Sequence, residues 1–332
     1  MLQKSKRRRL KVQERWRCGN NYTLVRGDCA KLLRKIPARS VNLILTSPPY
    51  CIGKSYESNT KAEDFLPALE KILPDLIRVL RFGGSICWQV GYHVTNNVVT
   101  PLDVLVCDMM KKHPVMKLRN RIIWTFGHGL HSEDRFSGRH ETVLWFTKGK
   151  RYRFDLDAVR VLQKYPGKRH YKGEKHGVLS GNPKGKNPSD VWKSSDVWDI
   201  PNVKANHIEK TVHPCQFPIA LARRIIAATT KQNGLVLDPF TGAGTTGIAA
   251  VSLQRKFVGA EINRRYHRLA VQRIEEALAG KLEYRPDWKP VYEPDIHTPL
   301  TTVPKNWRVQ RNDLHVNNCT STRMARDING QT

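Results

Sequence analysis

The stretch Val236-Leu237-Asp238-Pro239-Phe240-Thr241-Gly242-Ala243-Gly244-Thr245-Thr246-Gly247 combines the end of an apolar strand, a glycine-rich turn and the start of a helix. Glycines at a helix N-terminus let the backbone approach a nucleotide closely. The next predicted strand, Lys256–Ala260, leads into Glu261, where a carboxylate can accept hydrogen bonds from two ribose hydroxyls. Tight turns need glycine in any case, but the acid after the following strand adds a second feature. The pattern predicts an α/β sheet that binds a nucleotide-type ligand.

Short apolar runs elsewhere in the chain extend this sheet. Seven such runs predict strands, at Tyr22–Arg26, Val41–Thr46, Ser85–Val90, Arg121–Phe126, Thr142–Phe146, Leu235–Leu237 and Lys256–Ala260. Helical patterns lie between them. One covers Glu63–Leu80, where Pro74 is expected to kink or split the helix. Another has an apolar stripe from Tyr266 to Leu278, with Asn263 and Gly280 as caps.

Composition limits the function classes. The 332 residues include 57 Lys+Arg and 29 Asp+Glu, a net charge of +28 that favours a polyanion partner, nucleic acid first. No run approaches the ~20 apolar residues that a membrane span needs, and the basic N-terminus lacks the apolar core of a secretory signal. The 7 cysteines are scattered without a Cys-x-x-Cys pair, which favours reduced thiols over disulfides or a metal site. Integral-membrane and extracellular classes are therefore excluded, and no metal is expected.

A second motif, Ser47-Pro48-Pro49-Tyr50, directly follows the strand at 41–46. Consecutive prolines hold the chain rigidly at the carboxyl end of a strand, which is where open α/β sheets bind ligands. Proline carbonyls and Ser47 offer acceptors, and Tyr50 offers an aromatic face. Two acceptors could grip the hydrogens of an exocyclic nucleobase amine, a poor nucleophile, while the ring stacks on an extruded base. A simple Pro-Pro turn also accounts for the four residues taken alone.

The chain as a whole resembles the DNA amino-methyltransferases, in the permuted beta arrangement that places the catalytic motif ahead of the cofactor motif. Six elements match in the family's order: Gly27-Asp28-Cys29, Ser47–Tyr50, His140–Lys148, His213–Pro218, Asp238–Thr246 and Val258–Asn263. The resemblance covers about Tyr22 to Gly280. It implies a Rossmann-like, seven-stranded S-adenosylmethionine-dependent methyltransferase sheet with a circularly permuted motif order.

The resemblance also implies the chemistry of the site. S-adenosyl-L-methionine would be the methyl donor, in a direct in-line displacement without a metal or covalent intermediate. The catalytic residues would be Ser47, Pro48, Pro49 and Tyr50. The cofactor-binding residues would be Asp28, Cys29, His213, Gln216, Phe217, Pro218, Asp238, Pro239, Phe240, Gly242, Gly244, Thr245, Thr246 and Glu261. Within that set, Glu261 would hold the ribose and Asp28 would lie near the adenine amino group. Pro214-Cys215 is similar to the nucleophile of carbon-5 cytosine methyltransferases, but its Gln-Phe-Pro context assigns it a structural role.

A basic insert occupies the stretch where the permuted arrangement carries its target-recognition region. Lys148–Lys186 holds twelve Lys and Arg against three acidic residues, interleaved with aromatic residues, and the insert continues to Val212. The residues assigned to DNA are Arg151, Arg153, Lys164, Lys168, Arg169, Lys172, Lys175, Lys184 and Lys186. The predicted organisation is a flexible basic arm (1–20), a methyltransferase domain (21–280) containing the insert (148–212), and a polar tail (281–332).

Together these patterns predict a site-specific enzyme that flips and methylates N4 of cytosine in double-stranded DNA. Serine rather than aspartate before Pro-Pro-Tyr favours cytosine by resemblance, and N6 of adenine is the alternative. Two further alternatives are an RNA or protein amide methyltransferase and an inactive DNA-binding homologue. The family analogy places the enzyme in the cytoplasm of a prokaryote or phage, at the nucleoid, with no membrane partner. It allows a restriction endonuclease for the same site as a partner, and the sequence does not fix the oligomeric state.

Overall fold

The computed structural model describes residues 11–50, 62–127, 131–163, 165–192, 200–204 and 206–287. The strands are β1 (Tyr22–Arg26), β2 (Val41–Thr46), β3 (Leu80–Val90), β4 (Tyr92–Thr95), β5 (Val98–Pro101), β6 (Met116–Thr125), β7 (His140–Lys148), β8 (Val191–Trp192), β9 (Leu235–Asp238) and β10 (Lys256–Glu261). The helices are α1 (Cys29–Leu33), α2 (Phe65–Val79), α3 (Leu102–Lys111), α4 (Ile219–Thr229), α5 (Thr245–Ser252) and α6 (Arg264–Leu278).

One mixed sheet forms the centre of the protein, in the order β1-β10-β9-β2-β3-β7-β6-β8. The first five strands of that order are parallel, whereas β7 is antiparallel to both β3 and β6. All seven predicted strands lie in this sheet, and the two-residue β8 joins its edge. The predicted α/β class and permuted order are therefore confirmed. The direction of winding reverses between β2 and β9, which is where open sheets of this kind bind ligands.

Helices cover both faces of the sheet because its strands are apolar on both faces. On one face, α1, α2 and α3 enclose a core that includes Ile44, Trp88 and Leu237. On the other face, α4, α5 and α6 pack around Leu43 and Val236. Neighbouring strand residues thus alternate between the two cores, as the pleat of a strand requires. Both cores fix the positions of the loops at the strand ends.

Two predicted helices are present, with one departure. Asn263 caps α6 by accepting hydrogen bonds from the first-turn N–H groups, and Gly280 follows the helix with a φ of 67°. The other helix, α2, continues through Pro74. The prediction that Pro74 splits this helix was therefore wrong. A mid-helix proline costs about 3 kcal/mol. Burial of Leu73 and Leu76 on either side offsets that cost.

Segments at both ends of the domain contact it. Gln13, from the predicted arm, exchanges backbone hydrogen bonds with β1, and Val12 is buried. Beyond α6, Asp287 pairs with Arg223 of α4 at 3.0 Å, so the chain lies against the domain to this point. Residues 1–10 and 288–332 lie outside the described residues, and the predicted domain limits stay predictions. Among the described helices, none has the length and hydropathy to cross a membrane.

Candidate active site

A cavity of about 220 Å³ lies at the carboxyl ends of the parallel strands, where the two sequence motifs meet. Fourteen of the predicted site residues line it: Asp28, Cys29, Ser47, Pro48, Pro49, Tyr50, His213, Gln216, Phe217, Pro239, Phe240, Gly242, Thr245 and Glu261. Asp238, Gly244 and Thr246 are near it but do not line it, and Pro218 lies just beyond it at the start of α4. The sequence elements that the resemblance grouped are thus brought together around one space.

Glu261 is fixed at the end of β10 by two backbone donors. The N–H of Gly242 donates to Oε2 and the N–H of Asn263 donates to Oε1, both at 2.8 Å. Burial raises the pKa of Glu261, and these hydrogen bonds oppose that shift. A carboxylate has about four lone-pair sites, so each oxygen can accept one further hydrogen bond from a ligand in the cavity.

Glycines shape the turn between β9 and α5. Gly242 and Gly244 have φ values of 52° and 86°, a conformation that other residues adopt at a cost. A Cβ on Gly242 would lie 3.0 Å from Nε2 of His213, and a Cβ on Gly244 would lie 3.1 Å from the Cα of Ala270 in α6. One glycine therefore leaves room for the histidine at the cavity, and the other permits the close approach of α6.

Asp238 is buried at the end of β9, next to the cavity, and links the loop after β9 to β2. Its Oδ1 accepts hydrogen bonds from the Thr46 hydroxyl at 2.7 Å and from the Phe240 N–H at 3.1 Å. Burial raises the pKa of Asp238 to about 6, and hydrogen bonds with two threonine hydroxyls are among the opposing effects. Thr246 of α5 also donates to the Leu45 carbonyl at 3.3 Å. These contacts fix the position of the Ser47 loop relative to the loop that carries Gly242.

The Ser47-Pro48-Pro49-Tyr50 motif follows β2 and lies in neither a helix nor a strand. The hydroxyls of Ser47 and Tyr50 lie 3.3 Å apart, and the N–H of Gly91 donates to the Tyr50 hydroxyl at 3.1 Å. The Tyr50 ring meets Phe65 edge to face, with 6.4 Å between centroids. Burial raises the pKa of Tyr50, so its hydroxyl stays protonated. The motif thus presents a neutral hydroxyl pair and an immobilised aromatic ring to the cavity.

The segment before α4 closes one side of the cavity. The His213 ring packs against Tyr266 of α6, with 4.5 Å between centroids. Burial lowers the pKa of His213 to about 4, so the imidazole is neutral near pH 7. Gln216 donates to the Glu209 carbonyl at 2.7 Å and accepts from the Thr211 hydroxyl at 2.9 Å. These contacts hold the predicted helix-entry motif in place.

Asp28 and Cys29 stand at the start of α1, directly after the strand β1 that pairs with β10. Asp28 caps the helix by accepting the Ala30 N–H at 2.8 Å and also lines the cavity. Burial raises the pKa of Cys29 to about 12, so this thiol is neutral. Cys215 also lines the cavity and is exposed to solvent. Within the described residues, no group of three or more His, Cys, Asp or Glu side chains could hold a metal ion.

The basic insert divides into two regions. An irregular hairpin, joined by bridges from Val161–Lys186 to His170–His176, exposes most of its side chains, among them Tyr171 at 83%. Five predicted DNA residues are exposed on it: Lys168, Arg169, Lys172, Lys175 and Lys184. Lys186 is exposed at its base, and Lys164 lies outside the described residues.

Arg151 and Arg153 occupy a different place. They line a groove with Asn42 and Gly83, at the amino ends of β2 and β3. Ser47 is at the other end of β2, so about five residues of strand, or roughly 16 Å, separate the two edges. Charge in the sequence could not indicate at which edge of the sheet a cation would lie.

The structure adds one pair beside the site that sequence analysis did not assign. Gln89 at the end of β3 donates a hydrogen bond to Glu141 at the start of β7. Burial raises the pKa of Glu141 to about 7. Only the strand-end position of His140-Glu141 in the sequence could have suggested proximity to Tyr50.

Comparison with known proteins decides the family. The DNA methylase pattern for N6 and N4 methyltransferases matches residues 41–272, more than two thirds of the chain. The protein belongs to the N6/N4 DNA methylase family. The methylase is 46% identical to the Type II methyltransferase M.BglII from Bacillus subtilis, over 74% of this chain and 67% of that protein. It is also 33% identical to the DNA adenine methyltransferase YhdJ of Escherichia coli, over 79% and 85% of the two chains.

Solved structures share the fold of the methylase. A protein described as a DNA modification methylase from Thermus thermophilus superposes with a TM-score of 0.55 and 27% identity, over 77% of this chain and 94% of that one, and its structure has been solved with S-adenosyl-L-methionine. The cytosine-N4-specific PvuII DNA methyltransferase superposes with a TM-score of 0.58 at 21% identity, over 77% and 92% of the chains. The predicted family is confirmed.

Proposed function

We propose that this DNA methylase transfers a methyl group from S-adenosyl-L-methionine to the N4 amine of cytosine at a specific site in double-stranded DNA. One observation carries the proposal. The Ser47-Pro48-Pro49-Tyr50 loop and the end of β10 at Glu261 open into the same cavity, which gives an amine and a nucleoside adjoining places.

The residues around the cavity fit the proposed cofactor. Glu261 retains acceptor capacity for two ribose hydroxyls after accepting its two backbone N–H groups. Asp28, which follows the strand β1 that pairs with β10, offers a second acceptor in the cavity, and Phe240 lines it with an aromatic surface. When bound, S-adenosyl-L-methionine supplies a methyl group on a positively charged sulfur. The neutral His213 adds no positive charge to repel that sulfur.

Ser47 and the Pro48 carbonyl would accept the two amine hydrogens of an extruded base. The Tyr50 ring would stack on that base, and its hydroxyl is already held by the Gly91 N–H. Catalysis then consists mainly of holding two reactants in line, with the amine nitrogen facing the methyl group. This role needs the motif to be rigid, as the contacts to Phe65 and Gly91 make it.

The base is the finer part of the proposal. Ser47 is a neutral acceptor, weaker than the aspartate of the alternative motif, and its combination with Pro-Pro-Tyr favours N4 of cytosine by resemblance. N6 of adenine is the second candidate, because a relative with 33% identity carries adenine in its name. Nucleoside digestion of DNA modified by the purified protein, followed by mass spectrometry, tests the choice. N4-methylcytosine is expected. N6-methyladenine would replace the base, and 5-methylcytosine would refute the mechanism.

The exposed hairpin of the insert is the proposed DNA-recognition element. Neutralising the four hairpin cations Lys168, Arg169, Lys172 and Lys175 should weaken DNA binding and reduce the log–log salt slope by about 0.9 for each phosphate that the hairpin no longer neutralises. A matched set of four cations lies on the amino edge: Arg81, Arg151, Arg153 and Lys231. Neutralising that set should change the slope much less. Equal effects of the two sets would mean that binding reflects overall charge rather than the hairpin.

Proposed partners follow from the substrate. Relatives named Type II methyltransferases make a restriction endonuclease for the same DNA site a proposed partner of this chain. A DNA substrate makes the bacterial cytoplasm the proposed location. Co-purification of an endonuclease that cleaves the same unmodified sites tests the partner, and cell fractionation tests the location.

A further inference from the structure

Glu141 lies on the substrate side of the proposed active site, where nothing described so far assigns it a role. The β3–β7 pairing aligns Val90 with Thr142, so Glu141 lies opposite Gly91. A Cβ on Gly91 would be 3.6 Å from both Cγ and Oε1 of Glu141. The same Gly91 donates its N–H to the Tyr50 hydroxyl at 3.1 Å. One glycine therefore separates the carboxyl group from the catalytic tyrosine.

The setting of Glu141 is unusual for a carboxylate. Gln89 donates a hydrogen bond to its Oε2. Gln89 is only 3% exposed, so a neutral and rigid amide orients the acid. In the part of the chain that the structure describes, no arginine or lysine forms an ion pair with Glu141. A partly buried carboxylate without a bonded cation is costly, and such groups concentrate at functional sites.

Methyl transfer moves charge in a direction that Glu141 can favour. The N–C bond forms as the S–C bond breaks, so positive charge leaves sulfur and arises on the amine nitrogen. The extra proton then leaves that nitrogen for solvent. The ribose-binding Glu261 lies on the cofactor side of the cavity, whereas Glu141 lies beyond Tyr50 on the amine side. A negative charge there is closer to the charge in the transition state than in the ground state.

We propose that Glu141, oriented by Gln89, stabilises the positive charge that develops on the target amine during methyl transfer. Glu141 does not contact the amine; its negative charge acts through space from behind Tyr50. This inference rests on the proposed methyl transfer to a nucleobase amine. For a separation on the order of 7 Å from the amine and about 4 Å more from the sulfur, at an effective dielectric constant of about 20, Coulomb's law gives a difference between transition state and ground state of roughly two- to fourfold in rate.

The role requires the carboxylate form, and burial raises the pKa of Glu141 to about 7. The polar and charged groups that act on it from its neighbouring elements are Gln89 of β3, Lys204 and, across Gly91, Tyr50. Of these, Gln89 and Lys204 both favour the charged form. The single-turnover rate should therefore rise with pH through about 7, as Glu141 ionises.

The test compares the single-turnover methylation rates of variants on unmethylated genomic DNA with radiolabelled S-adenosyl-L-methionine, from pH 5.5 to 9. The DNA and the cofactor are both saturating. Glu141→Gln should be roughly two- to fourfold slower above pH 7 and lose the rise near pH 7, with the cofactor dissociation constant unchanged. Glu141→Asp should retain the rise. Glu133→Gln, which removes an exposed carboxylate from the loop before β7, should match the wild type.

Two results would overturn the inference. In the first, Glu141→Gln keeps both the wild-type rate above pH 7 and the rise near pH 7. If Glu141→Gln loses cofactor binding or unfolds, Gln89→Leu is used instead. This variant removes the hydrogen bond to Glu141, so the pH at which the rate is half-maximal should rise. The second result that would overturn the inference is no change in that pH. A wild-type protein that methylates no DNA would instead refute the proposed function, and this inference with it.

Discussion

Replacing Glu261 by glutamine tests the ribose site most directly. The carboxylate accepts the N–H groups of Gly242 and Asn263, both at 2.8 Å, and one oxygen of a carboxamide can replace only one of these acceptors. The NH2 group would face an N–H donor and could not accept a ribose hydroxyl. Losing one hydrogen bond to a charged acceptor costs about 1.5–3 kcal/mol. That loss corresponds to a dissociation constant roughly 10- to 150-fold weaker.

Calorimetric titration of the free protein with S-adenosyl-L-methionine measures this loss. Glu70→Gln serves as the control, because Glu70 is exposed on α2 and pairs with Lys112 outside the cavity. Glu261→Asp should give an intermediate loss, since it keeps the charge but shortens its reach. Thermal unfolding of each variant separates weaker binding from a damaged fold. An unchanged dissociation constant for Glu261→Gln would refute the assignment of this strand end to the ribose.

Three further predictions concern the catalytic loop, its attachment and pH. Ser47→Ala should reduce turnover at least tenfold with cofactor affinity unchanged, because only the transition state needs the full grip on the amine; rapid-quench kinetics beside calorimetry will show whether the two separate. Thr46→Val removes the buried donor to Asp238 and should lower the free energy of unfolding, measured by urea titration, by about 1–3 kcal/mol. A loss below about 0.5 kcal/mol would show that this hydrogen bond does not stabilise the fold. His213 has a folded pKa of about 4 against 6.5, so below pH 6.5 the unfolded chain binds the proton first. Stability should therefore fall by about 2–3 kcal/mol between pH 6.5 and 4, a part that His213→Gln abolishes; an identical pH dependence in the variant would contradict it.

The sheet could be predicted from sequence because its strands carry a strong apolar signal. Val41–Thr46 and Lys256–Glu261 are largely buried on both faces, and their buried positions hold only apolar or small residues. The β4–β5 hairpin escaped prediction because none of its residues is buried and they follow no apolar alternation. Periodicity reports burial, and elements that bury little leave no such pattern.

The site was predictable where its parts are close together in the sequence. Gly242, in the turn after β9, and Glu261, at the end of the next strand, are 19 residues apart, and this spacing predicted that they lie at the same edge of the sheet. Contacts between distant segments could not be placed that way. Thr46 and Asp238 are 192 residues apart, and Gln89 and Glu141 are 52 apart. Each pair meets only because the sheet aligns the ends of neighbouring strands.

The strand order also has a consequence for synthesis of the chain. The central strand β2 completes its pairing only when β9 has been made, and β1 pairs with β10, the last of the described strands. A nascent chain of about 230 residues therefore leaves one edge of β2 unpaired and β1 without its neighbouring strand. Sheets closed by such distant contacts fold slowly, and open edges invite association with other chains. We expect the growing polypeptide to depend on chaperone protection until its final helix emerges from the ribosome.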